Sequence, residues 1–315
     1  MVHDTSDLFH SDSGMSETDE IYRGPADGGN FECDWTNAYL SAHLVSDVGK
    51  KRERNEDACV LCAPTDEGRL ECRGYLFAIA DGMGGASAGE HASHLALSIF
   101  LEEFYNGAET NIPDHVQESI ENANGRVFAE AEQHAELNGM GTTLSTLLII
   151  GDCAYIGQVG DSRVYLQRPK AALLQITEDH SLVAEQVRGG IITEEEARNH
   201  SLRNLITRAI GIKEDVDVDL FSLRLQKDDT LLICSDGLSN MVEDAEIAEA
   251  LQLESLQTGA RLLVGKALEA GGTDNVSVAL VRVTGAPPKK NLQAGASQVY
   301  APVSGFWNRL KRIFS

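Results

Sequence analysis

At 315 residues, with 42% hydrophobic and 24% charged side chains, the chain is long enough for one large or two small domains with a proper core, which excludes disorder throughout. Its 26 basic and 49 acidic residues leave a net charge of −23, which repels phosphate backbones, excludes nucleic acid as the expected partner and favours metal cations or basic protein surfaces. No apolar run approaches the roughly 18 residues of a spanning helix, no leader pattern opens the chain, and six scattered cysteines are too few for a disulfide scaffold, so a soluble, cytoplasmic protein is expected.

In chain order, residues 1–34 come first, with nine acids against one base, Arg23, and few apolar side chains. They read as a disordered acidic arm, ending at 37. A single domain is expected over 38–285. Strands are predicted at 42–48, 58–61, 75–80, 142–150, 153–159, 163–167, 216–225, 230–234 and 276–283, many joined by the short turns of antiparallel sheets. Long helices are predicted at 87–104 and 113–137, the second with Val116, Ile120, Ala123, Val127, Ala131 and His134 on one stripe. Shorter helices are expected at 182–188, 194–209, 243–251 and 255–270. Grouped strands with helices inserted in blocks predict an α+β fold of sheet layers covered by helix layers. From residue 287 onward five bases and no acid form a basic linker, 286–315, which ends in an amphipathic stretch at 306–314. A membrane is the less favoured surface for that stretch, because anionic lipid would repel the acidic body.

Cys59 and Cys62 form a CxxC, but their odd spacing in a strand points the thiols to opposite faces and no matching pair completes a zinc site. Four acidic motifs carry more. Asn55-Glu56-Asp57 and Thr273-Asp274-Asn275 each precede an apolar strand, while Asp81-Gly82 and Asp236-Gly237 each follow one. Antiparallel pairing sets the end of one strand beside the start of its neighbour, so the four can gather at one edge of the sheets. Crowded carboxylates repel and take up protons unless cations compensate them, and an all-oxygen set favours two Mg²⁺ or Mn²⁺ ions over zinc. Two such ions activate a water for attack on a phosphate ester. Any single Asp-Gly pair is more simply a turn, but four at strand ends outweigh that reading. Gly82-x-Gly84 between strand and helix also imitates a dinucleotide fingerprint, yet Ser87 stands at the third glycine and Asp81 would repel a pyrophosphate. Asp215, Asp217 and Asp219 mimic a calcium loop but lack its Gly and Glu.

These motifs continue in order: Ser46-Asp47-Val48-Gly49 with Arg52, then Asp81-Gly82-Met83-Gly84-Gly85, Gly139-Met140-Gly141-Thr142-Thr143, Gly160-Asp161-Ser162-Arg163, Asp179-His180-Ser181, Ser235-Asp236-Gly237-Leu238 and Gly272-Thr273-Asp274-Asn275. In them the sequence resembles the metal-dependent protein phosphatases of the 2C type, in compact bacterial form, over about residues 40–284. The resemblance implies a central sandwich of two antiparallel sheets flanked by pairs of helices. It also implies a serine/threonine phosphoprotein phosphatase using metal-activated water, with phosphorylated proteins of a cognate Ser/Thr kinase as partners. By position it assigns Asp81 as the carboxylate shared by two metals, the Gly82 carbonyl to one, Asp236 and Asp274 to the other, and Glu56 and Asp57 to metal-held waters. Arg52 would grip the substrate phosphate, a task suited to a guanidinium fork. Asp161 and Arg163 are expected as a structural pair, and 181–206 as the flap beside the site.

Some members carry a histidine near the double glycine as proposed acid; here Met83 and Ala86 stand there, which leaves a metal-bound water or His180. Asn138 and Asn240 stand where some members hold a third metal with aspartate, so a third ion should bind weakly. The reading from a different class is a noncatalytic phosphoprotein-binding scaffold on the same fold. It loses ground because the whole carboxylate set and Arg52 are present.

Overall fold

The computed structural model describes residues 19–107 and 111–288. In chain order its strands are β1 (Glu20–Gly24), β2 (Phe31–Thr36), β3 (Leu40–Asp47), β4 (Asp57–Ala63), β5 (Tyr75–Met83), β6 (Gly141–Thr142), β7 (Leu144–Ile150), β8 (Cys153–Val159), β9 (Arg163–Gln167), β10 (Leu174–Gln175), β11 (Asp219–Arg224), β12 (Thr230–Cys234) and β13 (Val276–Val283). The helices are α1 (Glu67–Arg73), α2 (Ala86–Asn106), α3 (Ile112–Gln133), α4 (Leu182–Arg188), α5 (Glu194–Arg198), α6 (Asp236–Ser239), α7 (Asp244–Leu251) and α8 (Leu256–Glu269). One antiparallel sheet runs β1-β4-β5-β7-β8-β11 with β6 on the end of β5; the other runs β10-β9-β12-β13-β3-β2. Strands with two buried faces sort their side chains by parity. In β4, Cys59 and Leu61 face the opposite sheet, while Ala58, Val60 and Cys62 face α2 and α3, so the two thiols do point apart. Leu232, Cys234, Val278 and Leu280 line the outer face of the second sheet and pack under α7 and α8. The expected sandwich flanked by helix pairs is the observed architecture.

Local chemistry explains where the helices begin. Asn111 and Pro113 open α3, where a missing N–H costs nothing, and Ser255 caps α8 by accepting from Thr258 N at 3.2 Å. The stripe predicted on α3 is buried from Val116 to Ala131, whereas His134 falls past the helix end and is half exposed. The helix predicted over 194–209 stops at Arg198. Beyond it the backbone is taken by other partners: Leu182 N donates to Leu205 O, Thr207 N to His180 O, and Ile210 pairs with Thr142.

The acidic arm is corrected. Residues 20–24 and 31–36 are the edge strands β1 and β2, paired with β4 and β3 respectively. In β2 the acids Glu32 and Asp34 point outward while Phe31, Cys33 and Trp35 turn to the core, so a period of two lay beneath the acidic composition. Trp35 is 7% exposed and packs at a tilt against Tyr75 and edge-on against Phe77, with ring centroids 5.3 and 6.4 Å away. Residues 1–18 and the tail beyond 288, including the amphipathic stretch at 306–314, lie outside the described residues. Among the described residues no helix is long and apolar enough to cross a membrane.

Candidate active site

The inter-sheet face changes character along its length. At one end it is Leu40, Leu61, Phe77, Val281; four to six residues along the same strands it becomes Ser46, Asp57, Asp81 and Ser277. The period of two therefore delivers polar side chains from both sheets to one end of the sandwich. Asp57 and Asp81 stand opposite each other in the β4–β5 register. Asp236 opens α6 just after β12, and Asp274 lies two residues before β13, adjacent to β12. Four motifs scattered over the sequence thus meet, as their strand-end positions predict.

The hydrogen bonds fix each group. Asp57 Oδ2 accepts from Ser235 Oγ (2.9 Å) and Ser277 Oγ (2.7 Å), which tie it across the sheets. The Asp81 main chain is gripped by the Thr142-Thr143 pair: its N–H donates to Thr143 Oγ1 and its carbonyl accepts from Thr142 Oγ1, both at 2.9 Å. Glu56 N donates to Asn275 Oδ1 (2.8 Å), and Asn275 Nδ2 donates to the Val48 and Arg54 carbonyls (2.9 and 3.0 Å), which joins the Arg52–Asp57 loop to the Asp274 loop. Gly82 is required where it stands, because a Cβ would lie 2.1 Å from Gly89 O and 2.6 Å from Glu56 O. Arg52 lies in the group itself: Nε is 2.9 Å from Asp274 Oδ1, Nη2 donates to Asp274 Oδ2 at 3.0 Å, and Nη1 reaches Glu56 Oε1 at 3.4 Å.

Burial and the acids around it push the Asp81 carboxyl well above the usual carboxylate range, Asp57 and Asp236 contributing most among those acids. Burial likewise lifts Asp57 to about 7, against the hydrogen bonds from Ser277 and Ser235, and lifts Asp236 to about 6, with Asp274 adding repulsion. Glu56 is raised by burial as well. Among the described residues no group of three His, Cys, Asp or Glu is arranged to hold a metal ion as it stands, and Arg52 sits on Asp274. The donor chemistry nevertheless fits hard divalent cations: the set is all oxygen, and burial raises Asp57, Asp81 and Asp236, a cost that bound positive charge would offset.

Two expectations on single residues change. Asp161 does not pair with Arg163, whose fork binds Asp179 instead (Nη2 to Oδ2 2.7 Å, Nε to Oδ1 2.9 Å). Asp161 is buried with Oδ1 unpartnered, and burial together with Asp236 and Asp179 pushes its carboxyl well up, so it belongs with the acidic group. Its strand-end position after β8 was the signal that the sequence offered. His180 is not placed as an acid for the leaving oxygen: Nδ1 accepts from Gly160 N (3.0 Å), which leaves the Nε2 proton to Asp219 Oδ2 (3.1 Å). Of the two asparagines, Asn240 donates to Asp236 Oδ2 (3.0 Å), while Asn138 is an exposed turn residue after Leu137. A cleft of about 370 Å³ between β2, β3 and α8 is lined by Val45, Val264, Leu268 and Arg261 and by none of the site carboxylates.

The profile of protein phosphatase 2C matches residues 49–264, a span that includes Arg52, Asp57, Asp81 and Asp236. The chain belongs to the protein phosphatase 2C family. Family relatives include the serine/threonine phosphatase stp of Listeria innocua, 38% identical over 247 residues that cover 77% of this chain and 95% of that one. Protein phosphatase PhpP of Streptococcus pneumoniae is 36% identical, covering 77% of this chain and 97% of its own. Among solved 2C-type structures, the Mycobacterium tuberculosis serine/threonine phosphatase PstP superimposes with a TM-score of 0.70 at 36% identity, over 78% of this chain and 99% of that one. A second structure of the PstP catalytic domain, with a TM-score of 0.68 at 36% identity and the same coverage, is in complex with two manganese ions.

Proposed function

We infer that this chain is a serine/threonine phosphoprotein phosphatase of the metal-dependent kind. The observation that carries the reading is the meeting of Asp57, Asp81, Asp236 and Asp274 with Arg52 at one end of the sandwich, all of them in the 2C-type motifs. Asp81, Asp236, Asp274 and the Gly82 carbonyl would hold two Mg²⁺ or Mn²⁺ ions, with Glu56 and Asp57 completing their surroundings. Bound there, such ions supply Lewis acidity and bring a water into its nucleophilic form near neutral pH. The chain's own groups do the rest. Arg52, 44% exposed and already forked onto a carboxylate, presents parallel N–H donors to a phosphate. Ser235 and Ser277 hold Asp57 in one orientation from the facing sheet. The Thr142-Thr143 pair fixes the Asp81 backbone.

Phosphorylated proteins made by a Ser/Thr kinase are the substrates this reading supplies, and the cytoplasm is its setting. Cys59, Cys62 and Cys234 support the latter as buried thiols among apolar neighbours. The test is hydrolysis of a phosphothreonine peptide and an aryl phosphate by the full chain. Chelation should abolish both activities and manganese restore them, and Asp236→Asn should lower turnover by about a thousandfold or more with an unchanged circular dichroism spectrum. Hydrolysis that persists in chelator, or no hydrolysis with manganese, would favour the scaffold or another chemistry.

A further inference from the structure

The loop that carries Arg52 is built partly from the N-terminal segment. Asn30, just before β2, accepts from Val48 N through Oδ1 (2.9 Å) and donates through Nδ2 to Asp47 Oδ2 (2.8 Å). The other oxygen of Asp47 accepts from Gly49 N at 2.8 Å and closes a tight turn. Gly49 holds φ +82°, and a Cβ there would lie 2.2 Å from Asp274 O, so the turn is pressed onto the Asp274 backbone. Lys50 N then donates to Gly272 O at 2.8 Å, and two residues further Arg52 forks onto Asp274. At the far end of the loop Asn55 is tied to the same N-terminal segment, through its N–H to Gly28 O (2.7 Å) and its Nδ2 to Gly29 O (3.0 Å).

The strand that presents Asn30 is itself anchored. Phe31 is opposite Ser46 in the β2–β3 register, and Glu32 accepts both arms of Arg261 from α8 (2.8 and 3.1 Å). Buried His43 lies between the Glu32 and Asp34 carboxylates. A donor and an acceptor held in place on a fixed strand can hold a neighbouring turn without being rearranged on substrate arrival. Asn30 is exposed, so its removal costs little buried area and the fold survives its replacement.

We propose that Asn30 is a positioning residue of the phosphatase: its amide fixes the Asp47–Gly49 turn, and through that turn the seating of Arg52 against Asp274. The inference rests on the phosphatase reading, with Arg52 as the phosphate-binding side chain. Loss of two oriented hydrogen bonds loosens Arg52 before substrate arrives, which weakens phosphate binding more than the chemical step.

The full chain, loaded with manganese, is tested with a phosphothreonine peptide. Asn30→Ala should raise KM about three- to tenfold with kcat within about twofold and the melting temperature nearly unchanged. In an Arg52→Ala background the same substitution should change KM by less than about twofold, because nothing is left to position. Equal penalties in both backgrounds, or an unchanged KM in the otherwise native chain, would overturn the proposal. Amide hydrogen exchange reads the turn without catalysis: residues 48–52 should exchange at least about threefold faster in Asn30→Ala, with the β-sheet core unaffected. Unchanged exchange there also overturns it. A native chain that fails to hydrolyse the peptide would instead count against the phosphatase reading, while the exchange measurement still judges the turn.

Discussion

Asp57 shows at the scale of one residue how function and stability oppose each other. Its carboxyl is buried, crossed by two serine hydroxyls, and lifted from the ordinary 3.8 to about 7; Asp236 rises to about 6. A folded-state pKa above the unfolded value means that the folded chain holds protons which the unfolded chain would release. Stability is therefore fully present at low pH, and falls as pH rises from about 4 through 6 and 7. For the protein in chelator, the free energy of unfolding should be greater at pH 5.5 than at pH 7.5 by on the order of a few kcal/mol shared among the acids, read as a higher melting temperature at pH 5.5. Asp57→Asn should flatten that slope, and manganese should stabilise most at pH 7.5, where the carboxylates are charged. A slope identical in Asp57→Asn would remove Asp57 from this account. Asp161 was missed at this same scale, because pairing it with Arg163 two positions away looked simpler than the Asp179 partner supplied from a distant turn.

Among the elements, β1 and β2 mattered most to the domain boundary. Ending the arm at residue 37 removes both, yet β1 covers the edge of β4 over five residue pairs and β2 covers β3 over six. Deleting residues 1–37 would bare two sheet edges, expose the aromatic contacts of Trp35 and remove the Asn30 turn. The expected result, read by circular dichroism and light scattering, is a fall of about 10 °C or more in melting temperature, or aggregation. An unchanged melting curve would make these strands accessories. The strands at 153–159, 163–167, 230–234 and 276–283 were legible to the residue because alternating or continuous apolar runs stopped at Gly160, Arg168, Ser235 and Thr284. The stretch 199–209 was not legible, because its helical composition yields to hydrogen bonds offered by His180, Leu182 and Thr142.

For the molecule as a whole, 49 acids against 26 bases set a background repulsion that every buried carboxylate at the site adds to. Ion pairs such as Arg261–Glu32 and Lys266–Glu246 are at the surface and offset little of it. Raising sodium chloride from about 0.05 to 0.5 M shortens the reach of charge from roughly 14 to 4 Å, so the melting temperature of the metal-free protein should rise by a few degrees. A flat or falling curve would show that repulsion does not limit the stability of this fold.

By itself the sequence determined the layered class and the central strands and marked four acidic motifs at strand ends, since period-two patterning and acids at strand ends are local properties written in consecutive residues. Tertiary structure alone decided which acids share one mouth with Arg52, that Arg163 goes to Asp179 and that His180 serves Gly160 and Asp219. It also decided that an acidic segment closes both sheets and steadies the Arg52 loop. The reason is the same in each case: a polar side chain takes the partner that burial and strand register bring to it, and residues far apart in the chain set that register.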